Sequence, residues 1–372
     1  MIKNSFLILL FSLCIASCMT DADEQCTTDD FDRGAMLNNW AENIIIPAYE
    51  NYTNKLEGLK IDLVAFSDTP NQTNLDKART SWLGAYIAWQ KVALFQIGKA
   101  EVLRLRDYTN TYPLDAVGVE NNIASDSYDL SLSTEMDKQG FPALDYLLNG
   151  VKDTDLEILN VYDNTSYTNY LRAVVTRLED MALSVLQDWK TSYKSIFVTN
   201  ECSSATASVD KLTNDFIFNF EKHIRVAKIG KPIDFFNDNP VSLSEAAEAV
   251  EAFYKKDVSK ELFVVAIQAS RDFFAGKHFN SNSEGISLKS YLTDLNIQTV
   301  TEKSLSVEII ERMDKALSTA NGLEDNFYDQ IIADRDAFVV MRNELHSVVG
   351  VLKTNMIAAL RIKADFNDTD GD

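Results

Sequence analysis

Apolar side chains recur at steps of three and four residues along most of this chain. The clearest stripe lies between residues 163 and 197 and consists of Leu171, Val174, Val175, Leu178, Met181, Val185, Leu186 and Trp189. Similar stripes run through residues 74–98 and from Phe338 to Ala359. This spacing is typical of amphipathic helices that bury one face. Convincing strand-like alternation is absent from the sequence, which therefore predicts an all-α fold.

The remaining periodicity predicts further helices, and two longer loops are expected around residues 99–135 and 277–300. The further helices are predicted over 34–57, 205–228, 242–276 and 302–320. About 340 folded residues are more than a single hydrophobic core usually serves. The polar segment 198–204 follows the long helix near the middle of the chain. We therefore expect two helical-bundle domains of about four helices each, over 34–200 and 201–372, packed with a cleft at their interface.

The N-terminus has the features of a bacterial secretion signal. A basic residue precedes a short apolar run, and small residues lead to Cys18 in the form of a lipobox. An apolar run of roughly nine residues is too short to span a bilayer. The sequence predicts a signal peptide over 1–17, lipidation of Cys18 and an acidic tether over 18–33. A cleaved signal with a chance cysteine is the alternative. Met19 rather than an aspartate follows Cys18, which by analogy with lipoprotein sorting favours the outer membrane. The folded part of the protein would then be either periplasmic or surface-facing.

Charge and cysteine usage exclude some classes of function. The chain has 35 basic and 56 acidic residues, a formal net charge of −21, which argues against binding to nucleic-acid phosphates. Cys14 lies in the predicted signal, so Cys26 and Cys202 are the cysteines left to form a disulfide outside the cytoplasm. The spacing of cysteines and histidines does not match a zinc finger.

The sequence offers few of the usual signs of catalysis. Its three histidines, His223, His278 and His346, are far apart, and none begins a metal-binding HExxH pair. GxSxG and P-loop patterns are also missing. The chemistry-bearing residues that remain lie around two unusual proline turns.

The first of these turns is the stretch QGFPALDYLLNG, which contains Asp145. Pro142 suits the first turn of a helix, and Asp145 would be stabilised near the positive end of that helix. Gly150 could end the helix in the left-handed conformation. A purely structural interpretation is therefore available, but it does not explain the second proline turn, which carries Tyr112 and Asp115.

Together these motifs resemble the imelysin-like proteins, also catalogued as peptidase family M75. The matching elements are Asn43 to Tyr49, Ala78-Arg79-x-x-Trp82, Asn110 to Asp115, Gly140 to Leu148, and the chain from Leu360 to the acidic end. The resemblance implies a pair of helical bundles with a functional site at their interface.

The signature of that family is Gly-x-His-x-x-Glu, in which the histidine and the carboxylate share one helix face and can bind a metal. Here Gly140 is kept, Pro142 replaces the histidine and Asp145 replaces the glutamate. Proline cannot bind a metal, so the peptidase chemistry that the resemblance implies lacks its nitrogen ligand. Iron or another divalent cation would need Asp145 together with oxygen ligands from elsewhere.

We therefore predict a lipid-anchored, non-enzymatic binding protein that acts in iron acquisition at the cell envelope, together with an envelope iron-uptake partner. The residues expected in its binding cleft are Arg79, Trp82, Tyr112, Asp115, Gly140, Phe141, Pro142 and Asp145. Arg79 would pair either with a carboxylate of the site or ligand, or with a structural aspartate. Two alternatives stay open: an M75-type metallopeptidase, and a surface helical adapter with a vestigial cleft.

Overall fold

A computed structural model describes residues 29–236, 240–300 and 302–364 of the protein. Helices dominate these residues, which contain two isolated β-bridges and no named strand, so the predicted all-α fold is confirmed. Among the described helices, none combines the length and the apolar character needed to cross a membrane. The predicted signal peptide and lipidation site lie outside the described residues.

Long helices in the first half of the chain are built from consecutive α-helical and π-helical segments. In chain order the segments are Arg33–Asn39, Trp40–Ile45 (π), Ile46–Asp68, Gln72–Gln90, Lys99–Val102, Leu105–Thr109, Ala116–Ser125, Ser133–Lys138 (3₁₀), Gly140–Asp145, Tyr146–Gly150 (π), Asp155–Val161, Thr165–Asp188, Trp189–Tyr193 (π) and Lys194–Thr199. The π-helical turns continue their neighbours without a break, so residues 33–68 and 165–199 each form one long helix.

The second half of the chain is built in the same way. Its segments are Ser208–Phe218, Asn219–Gly230 (π), Lys231–Ile233 (3₁₀), Leu243–Ala247, Ser259–Ala275, Leu288–Asp294, Leu305–Asn321, Phe327–Ala333, Arg335–Gly350, Val351–Met356 (π) and Ile357–Leu360. The two longest apolar stripes of the sequence thus lie on long helices, as predicted. The helix predicted over 74–98 is shorter, because it ends at Gln90 and residues 91–97 form a turn and loop.

The helix predicted over 242–276 is wrong. The chain forms two helices there, Leu243–Ala247 and Ser259–Ala275, separated by the turns of residues 248–258. Within these turns Ala252 has a φ of 58° and Lys256 a φ of 66°. Residues with a β-carbon rarely adopt this left-handed conformation, so contacts elsewhere must hold the segment in place.

The buried apolar residues form one continuous cluster to which both halves contribute, from Met36 to Ile362. All four tryptophans belong to this cluster and are at most 1% exposed. The helix before the predicted domain boundary ends at Thr199. The division into two bundles stays a prediction.

Close packing determines both ends of the helical stretch that contains Asp145. Gly140 has a φ of 76°, and a β-carbon at this position would overlap the carbonyl oxygen of Thr109. The prediction that Gly150, at the other end, is left-handed is wrong. Glycine is needed there because a β-carbon would overlap the ring of Tyr254. The first glycine therefore holds the helix against the Thr109 backbone, and the second admits a side chain of the 248–258 segment.

We expect Gly140→Ala to lower the free energy of unfolding by at least about 2 kcal/mol, because alanine is strained at this φ and overlaps Thr109. The matched control is Gly84→Ala in the helix Gln72–Gln90, where no atom lies within 4 Å of the added carbon. This control should raise the free energy of unfolding by about 0.5–1 kcal/mol. Urea unfolding followed by tryptophan fluorescence measures both, and equal effects would contradict the assignment.

Candidate functional site

The carboxylate of Asp145 joins the signature helix Gly140–Asp145 to the second half of the chain. Its Oδ2 accepts a hydrogen bond from the backbone N–H of Tyr254 at 2.9 Å, and its Oδ1 accepts one from the N–H of Lys255 at 3.0 Å. The side-chain amide of Asn149 donates a third at 3.1 Å. Asp145 lies beyond the first turn of the continuous helical stretch Gly140–Gly150, so the predicted stabilisation by the positive helix end is wrong. The 248–258 segment supplies the backbone donors instead.

Asp145 is 1% exposed, and this burial sets its ionisation. Desolvation raises the pKa of Asp145 to about 7, although the hydrogen bonds from Tyr254, Asn149 and Lys255 act in the opposite direction. The neighbouring hydroxyl responds in the same sense: burial, followed by the charge of Asp145, raises the pKa of Tyr254 to about 12. The structure thus holds a carboxylate that titrates near neutral pH between its two halves.

The surroundings of Asp145 do not fit a bare iron ion or another bare divalent cation. Pro142 contributes no side-chain donor, and three protein N–H groups already bind the carboxylate. Glu248 is the other carboxylate that lines the adjoining cavity. Among the residues that the structure describes, no group of three His, Cys, Asp or Glu side chains could hold a metal.

Three of the predicted cleft residues, Tyr112, Pro142 and Asp145, do line one cavity together. Residues between Glu248 and Tyr254 close its other side. Its volume of about 70 Å³ is well below the 300 Å³ or more that is usual for small-molecule sites. The cavity next to the signature helix is therefore too small for anything larger than water or a very small ligand.

Of the other predicted cleft residues, Trp82, Gly140 and Phe141 are buried in the core. The indole N–H of Trp82 donates to the carbonyl oxygen of Phe141 at 3.2 Å. The Phe141 ring stacks on Tyr86 with the ring centroids 4.4 Å apart and the planes 7° from parallel. Trp82, Tyr86 and Phe141 are completely buried. These residues fix the position of the helix and do not line the cavity.

The structure places Arg79 and Asp115 away from this cavity. Arg79 binds Asp155 through both terminal nitrogens, at 3.0 and 2.7 Å, and donates to the carbonyl oxygen of Leu148. Of the two partners considered for Arg79, the structural aspartate is the one observed. Asp115 accepts the backbone N–H of Gly118 at 2.8 Å and caps the helix Ala116–Ser125.

Cys202 is disulfide-bonded in the structure. The other three cysteines lie outside the described residues, so the pairing of Cys202 with Cys26 stays a prediction.

Sequence reasoning missed a buried ion pair close to Tyr112. Lys228 and Glu251 form a salt bridge although their side chains are only 4% and 2% exposed. Glu251 Oε1 also accepts hydrogen bonds from the side-chain amides of Gln90 at 3.0 Å and Asn110 at 2.7 Å. Burial lowers the pKa of Lys228, against the opposing effect of Glu251. Of the residues in this network, the sequence motifs included only Asn110, which begins the second proline turn.

This ion pair is connected to the signature helix. The hydroxyl of Tyr86 donates to Asn110 Oδ1, and the ring of Tyr86 stacks on Phe141. Both Glu251 and the Asp145-binding residues belong to the 248–258 segment. The segment therefore makes two polar contacts with the first half, one at each of two buried carboxylates.

A polar cleft of about 690 Å³ lies beyond this network, and Tyr112 lines both it and the small cavity. Arg106 and Asp215, which form an ion pair at 3.0 Å, lie on its wall with Lys228. Burial, followed by the positive charges of nearby basic residues, holds the pKa of His223 well below its usual range, so this imidazole is neutral. The cleft has the volume of a small-molecule site.

A family model described as "Imelysin" (Peptidase_M75) matches residues 45–347. The chain belongs to the imelysin family. The matched region includes the signature helix, both proline turns and the polar cleft.

Similar proteins agree with this family assignment. A curated "Iron-regulated protein A" from Synechococcus elongatus is 23% identical over 143 residues, which cover 38% of this chain and 39% of that protein. A solved structure described as a putative iron-regulated protein A precursor from Parabacteroides distasonis has a TM-score of 0.72 at 17% identity, over 88% of this chain and 95% of that one. An imelysin-like protein from Psychrobacter arcticus has a TM-score of 0.68 at 15% identity, over 91% and 99%. The two structures share the fold.

In this imelysin, Asp145→Asn should change how stability depends on pH. The folded carboxyl titrates near 7 and an unfolded one near about 4, so between these values the folded state binds more protons. The stabilisation from protonated Asp145 is therefore lost as pH rises from about 4 to 7, by at most about 1.4 kcal/mol per pH unit. Asparagine cannot ionise, so the free energy of unfolding of the variant should rise relative to that of the wild type as pH increases from about 4 to 7. Urea unfolding at several pH values measures this difference.

Asp155→Asn is the matched control with the opposite sign. The hydrogen bond from Arg79 holds the pKa of Asp155 below its ordinary value, so its contribution is lost only as pH falls through the acidic range. A difference between Asp145→Asn and wild type that stays constant from pH 4 to 7 would show that Asp145 does not titrate there.

Proposed function

We propose that this protein is a lipid-anchored, non-enzymatic binding protein of the cell envelope that acts in iron acquisition. Two proteins named iron-regulated protein A among its relatives support the link to iron. The lipobox that ends at Cys18 supports the anchor, and Met19 favours the outer membrane, where the protein would act with an envelope iron-uptake partner.

The observation that carries the non-enzymatic role is the use made of Asp145. The carboxylate at the signature position accepts two backbone hydrogen bonds from Tyr254 and Lys255 and does not face an open coordination site. Metal-assisted hydrolysis needs an ion with a free position and a base beside it. The described residues around Asp145 supply neither, which favours binding over peptide cleavage.

The polar cleft favours iron bound in an anionic chelate. Four basic side chains line it, Arg106, Lys222, Lys228 and Lys231, against three carboxylates, Glu101, Asp107 and Asp215. Because Lys228 is paired with Glu251 and Arg106 with Asp215, the positive charge that a ligand could meet includes that of Lys231. Lys231 is exposed, and no described carboxylate lies within salt-bridge distance of it. An anionic ferric chelate would match this charge and the volume of the cleft.

Ferric citrate should therefore bind to the purified mature protein, and Lys231→Glu should weaken that binding about tenfold, because it replaces an attraction by a repulsion. Lys55→Glu makes the same change of charge on an exposed part of the helix Ile46–Asp68 and should leave binding unchanged. Isothermal titration measures both, with gallium citrate as the redox-inert counterpart. Equal weakening by the two variants, or no binding of either chelate, would refute the role of the cleft.

The same preparation tests the non-enzymatic assignment. Casein and peptide libraries should stay intact in the presence of iron, zinc or calcium. Metal-dependent cleavage that disappears in Asp145→Ala would establish the metallopeptidase alternative instead. Normal chelate binding by Asp145→Ala would show that the loss of cleavage in this variant does not come from unfolding.

A further inference from the structure

A second cavity lies on the other side of residues 91–96, and none of the predicted site residues lines it. Lys91 and Phe95 line this cavity, whereas Ala93 and Gln96 line the polar cleft. The cavity has a volume of about 440 Å³, within the range of small-molecule sites. We call it the Phe279 pocket, after the aromatic residue that forms its outer wall.

Both halves of the chain contribute apolar side chains to the walls of the Phe279 pocket. Ile44 and Phe95 belong to the first half, and Phe273 and Phe279 to the second. Phe95 and Phe273 are 1% exposed and pack edge to face with centroids 5.5 Å apart. Aromatic walls of this kind favour a flat apolar ligand.

The outer wall is fixed in place before any ligand binds. The backbone N–H of Phe279 donates to the carbonyl oxygen of Asn43 at 2.8 Å, within the π-helical segment Trp40–Ile45. On the other side of the loop the amide of Asn39 donates to the carbonyl oxygen of Ile286 at 2.9 Å. Two hydrogen bonds thus attach this loop to the first long helix, so that little conformational entropy is lost when a ligand enters.

The charged groups that line the pocket favour an anionic ligand. The Nζ of Lys91 lies 5.5 Å from the centroid of the Phe279 ring, and no described carboxylate pairs with it. The Nε2 of His278 is buried and has no hydrogen-bond partner among the described residues. The carboxylate in the pocket, Asp272, is already bound by Gln268 at 2.8 Å and Lys277 at 3.5 Å. The ammonium of Lys91 therefore remains available to a ligand, with the side-chain amides of Asn280 and Asn282 beside it on the wall.

We propose that the Phe279 pocket binds a small carboxylate with an aromatic body. The ring lies among Phe95, Phe273 and Phe279, and the carboxylate accepts a hydrogen bond from the ammonium of Lys91. Burial of the ring gives affinity, while the hydrogen bond to the charged ammonium selects the anion over a neutral molecule of the same shape.

The probes are 2-naphthoate and its neutral analogue 2-naphthamide, titrated into the mature full chain by calorimetry at pH 7. Naphthoate should bind at least about tenfold more tightly, because only the anion makes a fully charge-assisted pair with Lys91. Lys91→Met keeps the length of the side chain and should remove this preference. Lys55→Met is the matched control and should retain it.

A second variant locates the site without relying on charge. Ala269 lines the pocket on the helix Ser259–Ala275, and Ala269→Phe should weaken both naphthyl probes by filling it. Lys231→Glu, in the polar cleft, should leave both unchanged, which separates this site from the proposed chelate site. Equal affinities for the two probes, a preference that survives Lys91→Met, or no binding at millimolar naphthoate would each overturn the proposal. If Ala269→Phe does not fold, the Lys91→Met comparison decides alone.

Discussion

The hydrogen bonds between Asp145 and the backbone of Tyr254 and Lys255 hold the 248–258 segment against the first half of the chain. In a continuous helix those two N–H groups would bond to carbonyl oxygens four residues earlier. They reach Asp145 only because residues 248–258 leave the helix, with Ala252 and Lys256 in the left-handed conformation. Burying a carboxylate costs several kcal/mol, and the three donated hydrogen bonds offset part of this cost. The contact therefore couples a strained segment to a carboxylate that titrates near neutral pH.

The same departure from helical geometry places Glu251 where it can meet Lys228, Gln90 and Asn110. A buried ion pair is destabilising unless its remaining hydrogen-bonding groups are satisfied. Here the two amides complete one oxygen of Glu251, while Ser259 donates to its backbone carbonyl at 2.7 Å. The 248–258 segment thus holds Lys228, which lies on the wall of the polar cleft. The same segment is bound to the first half of the chain at Glu251 and at Asp145.

Local pattern was sufficient to predict the longest helices but neither the break at 248–258 nor the site. Stripes such as Leu171 to Trp189 depend only on neighbours along the chain, and the structure buries them as expected. The break at 248–258 has no glycine or proline, and buried Ala247 and Val250 continue the apolar pattern into it. The carboxylate that binds its backbone N–H groups lies more than a hundred residues away. The partners of Arg79 and Lys228 lie 76 and 23 residues away, further than helical periodicity relates residues to one another.

Pro142 and Asp145, which stand where the resemblance implies histidine and glutamate, have a consistent physical effect. A cation that took the Asp145 oxygens would leave the N–H groups of Tyr254 and Lys255 buried and unpaired, at about 1–3 kcal/mol each. It would also find no nitrogen ligand at position 142. Bare metal is thus disfavoured by the groups it would displace as well as by the ligand it would lack. Recognition is left to surfaces whose polar groups are still available, and the exposed Lys231 in the polar cleft is one of them.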